Sequence, residues 1–285
     1  MAVIDVSDLT KSYGDVHAVR GVSFSVGQGE CVAVLGPNGA GKTTTVEILE
    51  GYRTRDSGSV SVLGMDPAHG GTELRQRIGI VLQECGVDPY LTVSEVLTMH
   101  AGYYNKPLAV ADVIDIVNLG DKATARVKTL SGGQKRRLDV ALGLVPDPEL
   151  LFLDEPTTGF DPSARRQAWD VIAGLRDLGK TVFLTTHYMD EAQRLADRVT
   201  IIAAGEIVAR GTPEDLGERA SGETTIRYRA NGREVLLRTQ TPVRTLHELT
   251  ERALARGEAL EGLEVTRPSL EDVYLELTAS TEPAE

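Results

Sequence analysis

Two cysteines and one tryptophan are all that 285 residues hold of those types. Cys31 and Cys85 have no CxxC spacing and no neighbouring histidine at ligand spacing, which argues against a disulfide framework or a structural zinc site. Free thiols in a reducing compartment are the expectation. No uninterrupted apolar run reaches the roughly 18 residues that a membrane-spanning helix needs, so any membrane role requires a second chain to do the crossing. The opening segment MAVIDVSDLTKSYG has acids where a secretion signal would be basic and then apolar, and no secretion is expected. Positive charge is also short: 30 basic residues face 42 acidic ones, for a net charge of -12. That balance opposes non-specific attraction to DNA or to anionic lipid, and no nucleic-acid partner is expected. Internal repeats, low-complexity tracts and heptad runs are lacking as well.

What is present is ordinary for a folded soluble protein, with 41% hydrophobic and 25% charged residues. The length allows one large domain with a small appendage. Early on, Val22, Phe24 and Val26 alternate with polar residues, and Cys31 to Leu35 then run continuously apolar. An antiparallel edge leading into a buried strand is the reading. A glycine-rich turn and a helix-compatible stretch from Thr43 to Glu50 follow. Further strands are expected at Ile78–Leu82, Leu150–Leu153 and Thr181–Thr185, with a helix over Pro162–Leu178, which together imply a parallel α/β sheet. Helical spacing at Val93, Val96 and Leu97, and again at Val113, Ile116 and Val117, marks a helical insertion over about 84–145. After Gly211-Thr212-Pro213 the pattern changes: Ile226 and Tyr228 alternate, Asn231-Gly232 is a hairpin-turn signal, and Val235–Leu237 is extended again. Leu246, Leu249, Ala253 and Leu254 suit an amphipathic helix, and Ser269 with Asp272 forms a helix-start pattern. The domain expectation is therefore 1–217, with a small α+β domain over 222–280.

Three motifs carry chemistry. Gly36-Pro37-Asn38-Gly39-Ala40-Gly41-Lys42-Thr43, followed by Thr44, fits GxxxxGK[ST] at every specified position. Its glycines let backbone N–H groups converge on a phosphate at a helix N-terminus, Lys42 reaches the β/γ-phosphates, and the Thr43 hydroxyl is a Mg²⁺ ligand. The apolar run Leu150–Leu153 ends in Asp154-Glu155, where the first acid can serve the metal and the second can polarise water. Alone, two acids closing a strand are a solvated strand end; paired with a phosphate loop, they become a hydrolytic pair. Leu130-Ser131-Gly132-Gly133-Gln134 places a capping serine and open amides ahead of a helix over Gln134–Leu144.

With Gln83, Thr158-Gly159-Phe160-Asp161 and His187 in this order, the chain over roughly Val3–Leu216 resembles the ATP-binding cassette (ABC) family. The resemblance implies a P-loop NTPase α/β core with an antiparallel β edge and a helical subdomain. It further implies that Tyr13 stacks on adenine, that Gln83 links Mg²⁺ to the transmembrane interface, that Glu155 is the general base, and that His187 contacts the γ-phosphate. Ser131 and Gly133 would complete the ATP site of a second cassette in a head-to-tail pair, either a homodimer or a paired subunit, and Gln134 and Asp161 are further nucleotide-binding candidates. The implied cofactors are ATP and Mg²⁺, the implied partner is a multispanning membrane permease, and the implied location is the cytoplasmic face of the cell membrane. Phe160 departs from the family's usual leucine and puts only local dimer packing in doubt. Thr185–Asp197, Gly205–Leu216 and Arg267–Tyr274 look like bacterial exporters of the drug-resistance and ABC-2 type, with drug-like or lipid-like cargo.

Two other functions compete. A guanine-nucleotide switch needs NKxD, and Asn105-Lys106-Pro107-Leu108 lacks the acid. A soluble regulatory or translation-associated ATPase of the same superfamily usually carries two cassettes, and this chain has one phosphate loop and one signature. A transport ATPase remains ahead.

Overall fold

The computed structural model describes residues 2–81, 86–219, 224–230, 233–266, 270, 271 and 274. They fall into two compact units, Met1–Arg210 and Gly211–Glu285. In the first, β1 (Ala2–Tyr13) and β2 (Val16–Gly27) form an antiparallel pair, β3 (Cys31–Leu35) is wholly buried, and α1 (Lys42–Leu49) follows the glycine-rich turn. Then come β4 (Ser57–Val62), α2 (Gly71–Arg77), β5 (Ile78–Val81), α3 (Val93–Ala101), α4 (Val110–Ile116) and α5 (Gly132–Leu144). The unit closes with β6 (Leu150–Asp154), α6 (Pro162–Asp177), β7 (Thr181–Thr186), α7 (Met189–Leu195), β8 (Arg198–Ala203) and β9 (Glu206–Gly211).

Two sheets organise this unit. A three-stranded antiparallel sheet has the order β2-β1-β4, and a six-stranded sheet has the order β5-β6-β7-β3-β8-β9, with β5, β6, β7, β3 and β8 parallel. The central strands are apolar throughout because both of their faces are covered. Phe183 on β7 joins the two layers: its ring lies 5.8 Å from Phe152 on β6, edge-on, and 5.8 Å from Phe24 on β2, stacked. Between β5 and β6 stand the helices α3, α4 and α5, and α5 packs on β5. Glycine makes that approach possible, since a Cβ on Gly79 would sit 2.0 Å from the Gly143 carbonyl oxygen. Ordinary capping boxes start α3 at Thr92 with Glu95, and α5 at Ser131 with Gln134.

The second unit contains α8 (Pro213–Arg219), β10 (Thr224–Ala230), β11 (Arg233–Thr239), α9 (Pro242–Arg256) and β12 (Glu261–Thr266), with sheet order β11-β10-β12 and both pairings antiparallel. The hairpin strands and the amphipathic helix lie where their alternation and spacing put them. β12, a short polar segment, was not expected from sequence, nor were β8 and β9, whereas α7 is the helix expected after the Thr181–Thr185 strand. Asn231-Gly232, Ser269 and Asp272 lie outside the described residues.

Candidate functional site

The phosphate loop spans the turn from β3 to α1, and its backbone follows from its glycines. Gly39 and Gly41 have φ of 79° and 99°, and a Cβ at Gly41 would sit 2.2 Å from the Ala18 carbonyl oxygen. Neither position accepts another residue without strain. No side chain caps the N-terminus of α1, and its first turn carries no acid. The free N–H groups and the positive end of the helix dipole therefore face the loop, as an anion site requires. Lys42 is 6% exposed, and its Nζ donates to the Gly36 and Pro37 carbonyls at 2.7 and 3.1 Å, across the loop. Burial lowers its pKa, and the carboxylates of Glu155 and then Asp154 oppose that shift. Lys42 thus faces both acids electrostatically.

Asp154 ends β6 beside β7, and Oγ1 of Thr185 on β7 donates to its Oδ1 at 2.5 Å. Glu155 then turns out of the sheet with φ of 45°, a left-handed conformation that costs a non-glycine residue roughly 1–2 kcal/mol. It is held there by its N–H, which donates to Thr185 O and Oγ1 at 3.1 Å each. Its carboxylate is oriented from two sides: Thr158 Oγ1 donates to Oε2 at 3.1 Å, and His187 Nδ1 lies 3.4 Å from the same oxygen. Lys42, Asp154, Glu155 and His187 therefore gather at the carboxyl ends of three adjacent parallel strands, where open α/β sheets place ligands. Thr43, the second residue of α1, is exposed, and Thr44 is half-buried. Thr43 and Asp154 offer a hydroxyl and a carboxylate, hard oxygen donors of the kind that suit Mg²⁺ with water and phosphate oxygens completing its shell.

A second group forms elsewhere on the unit. Ser131 Oγ accepts from Gln134 N–H at 3.3 Å, and Gln134 Oε1 accepts from Ser131 N–H at 2.9 Å. Asp161 caps α6, accepting from the N–H groups of Ser163 and Ala164 at 2.8 and 2.9 Å, and these bonds lower its pKa. Ser131, Gly133, Gln134, Phe160 and Asp161 line one recess of about 300 Å³. The structure thus sorts the motif residues into two clusters. Tyr13 belongs to neither: it ends β1, half exposed, with the cations of Arg53 and Lys11 at 5.5 and 5.6 Å from its ring. Gln83 lies outside the described residues.

Several polar groups around the first cluster escaped the sequence. Thr185 is one. Glu191 on α7 is fully buried, accepts from Thr157 Oγ1 at 2.7 Å and from Trp169 Nε1 at 3.1 Å, and is shifted upward by burial. Glu50, at the end of α1, is pushed up to about 8 by burial, with the charges of Asp154 and Glu47 adding to the effect. None sits in a recognisable motif, and a charged residue among apolar neighbours was the only available signal.

A family profile described as ABC transporter matches residues 19–158. The chain is 37% identical to the Nod factor export ATP-binding protein I of Rhizobium etli, over 98% of this chain and 94% of that one. It is 40% identical to the protein of the same description from Rhizobium sp. strain N33, over 96% of both. Among solved structures it is similar to cbiO1 from Clostridium perfringens, part of the ABC transporter complex cbiONQ, with a TM-score of 0.69 and 28% identity over 76% of this chain and 91% of that one. It is also similar to the dimeric MJ0796, a bacterial ABC transporter cassette, with a TM-score of 0.63 and 25% identity over 73% and 98%.

Proposed function

Because this chain belongs to the ATP-binding subunits of ABC transporters, an ATPase that drives transport, we propose that its chemistry runs at the ends of β3, β6 and β7 with Glu155 as general base. The observation that carries this reading is the setting of Glu155, whose carboxylate is held by Thr158 and His187 and faces Lys42 of the phosphate loop electrostatically. Lys42 and the N-terminus of α1 bind the β/γ-phosphates, and Glu155 accepts a hydrogen bond from the attacking water and orients it in line. His187 holds that carboxylate and contacts the γ-phosphate. Tyr13 stacks on the adenine. Thr43 and Asp154, with Gln83, would hold Mg²⁺, which when bound neutralises charge on the β- and γ-phosphates.

The second cluster, at Ser131, Gly133, Gln134 and Asp161, completes the nucleotide site of another cassette in a head-to-tail pair. The two separate clusters within one chain and the dimeric neighbour support this arrangement. Among the described residues no helix is long and apolar enough to cross a membrane. As with other ABC transporter subunits, a multispanning permease carries the cargo, and this subunit works from the cytoplasmic face. The relatives' description as Nod factor export proteins supports an outward direction, and a drug-like or lipid-like cargo rests on the resemblance of Thr185–Asp197, Gly205–Leu216 and Arg267–Tyr274 to drug-resistance and ABC-2 type exporters. A groove of about 430 Å³ lined by Tyr52, Ile78, Asp88, Val96, Met99 and Tyr104 is the docking face for the permease. Charge reversal at exposed Asp88 should lower transport more than basal hydrolysis, and equal loss of both would remove that assignment. For the second unit the proposed role is to stabilise the chain or to support its pairing.

Glu155→Gln tests the central reading. It keeps the shape and an acceptor oxygen but removes the basicity, so hydrolysis should fall about 10²–10⁴-fold while ATP binding persists. Size-exclusion chromatography with Mg-ATP should show a dimer holding uncleaved nucleotide. A monomeric variant that hydrolyses normally would reassign the base.

A further inference from the structure

Arg136 on α5 is 5% exposed, and a guanidinium at that depth must find acceptors for its donors. It finds them in the backbone that carries Glu155. Nε donates to the Pro156 carbonyl at 2.8 Å and Nη2 to the Asp154 carbonyl at 3.2 Å, while Nη1 lies 3.7 Å from the Asp139 carboxylate. These two carbonyls lie on either side of Glu155, so the planar fork straddles the one residue of the turn that sits at φ 45°. From the other side the same turn is tied down by Thr157 donating to buried Glu191, and by the Glu155 N–H donating to Thr185. Arg136 also stands in a helix that begins with the Ser131–Gln134 capping box and is seated on β5 through Gly79 and Gly143. A rigid element therefore reaches from the signature segment to the turn that bears the carboxylate.

We propose that Arg136 is a positioning residue for Glu155: its hydrogen bonds to the Asp154 and Pro156 carbonyls fix the backbone of residues 154–156 so that the carboxylate stays on His187 and Thr158. The inference rests on the reading of Glu155 as general base. Because Ser131 caps α5, the same bonds tie the setting of the base to the segment that completes the neighbouring cassette's site. Lysine cannot reproduce the effect, since a point charge lacks the fork that serves two carbonyls at once.

The test is a double-mutant cycle in the full chain, read by ATPase kinetics and nucleotide affinity. Arg136→Lys should lower kcat on the order of 10²-fold, the scale expected for a misplacement of about 1 Å, with KM for ATP unchanged within about twofold. In the Glu155→Gln background the same substitution should change residual turnover by less than about twofold, because the group it positions has already lost its function. Arg136→Gln is the second variant, with the same expected split between kcat and KM, and thermal melting checks both for folding. The inference is overturned by a wild-type kcat, by an equal loss in both backgrounds, by a loss carried in KM, or by unfolding of both variants, which would make the role purely structural. If Glu155→Gln alone hydrolyses normally, the base assignment falls and takes this inference with it; Arg136 variants at wild-type rate beside an inactive Glu155→Gln would remove this inference alone.

Discussion

Every residue of β3 and β7 is buried, whereas every residue of β12 is exposed. The first two are central strands of a parallel sheet with layers on both faces, and the last is an edge of a three-stranded antiparallel sheet. The difference decides where chemistry can be built. Parallel strands all end on one side, so the loops after β3, β6 and β7 deliver Lys42, Asp154, Glu155 and His187 to one place, and the packed strands beneath hold those ends still. The antiparallel strands of the second unit send successive loops to opposite ends. Its described residues bring together no comparable set, and apolar side chains such as Leu236, Val243 and Leu254 remain exposed.

The largest expected effect on stability therefore lies under the site. Phe183 is 1% exposed and contacts aromatic rings from both sheets, so Phe183→Ala removes a large side chain where neither layer can collapse into the space. Loss of about 3–5 kcal/mol is expected from denaturant unfolding monitored by circular dichroism. A loss near 1 kcal/mol would mean that the two sheets relax toward each other, and the contrast between a packed and a one-sided unit would weaken.

The same contrast explains what the sequence revealed. Cys31–Leu35, Leu150–Leu153 and Thr181–Thr185 were legible as buried strands because burial on both faces leaves an unbroken apolar run. The phosphate loop, the paired acids and the signature were legible because their residues are adjacent in the chain. Arg136 and Thr185 were not, since each acts across the fold: Arg136 bonds a carbonyl 20 residues away, and Thr185 a carboxylate 31 away. Glu155 was legible as an acid, but its left-handed backbone follows only from the tertiary bonds that hold it. β12 was missed for the opposite reason, because a fully exposed edge containing Glu261, Gly262 and Glu264 has little apolar pattern to read.

The smallest expected effect on the catalytic unit comes from ending the chain after Gly217, which removes β10, β11, α9 and β12. The catalytic unit has its own core, formed by residues that include Ile4, Leu9, Leu49, Phe152 and Phe183. Its melting midpoint should therefore move by no more than about 2–4 °C, the shift that ~1 kcal/mol produces in a chain of this size. Hydrolysis per site should persist, because none of Lys42, Asp154, Glu155 or His187 is removed. Pairing is where the loss should appear: in the Glu155→Gln background with Mg-ATP, sedimentation velocity should show the truncated chain shifted toward monomer relative to the full chain. A truncated protein that melts and sediments as the full chain does would leave the second unit with neither a stabilising nor a pairing role. A collapse of melting as deep as that of Phe183→Ala would instead show that the catalytic unit depends on the second for its own stability, and the comparison between a self-sufficient unit and an accessory one would break.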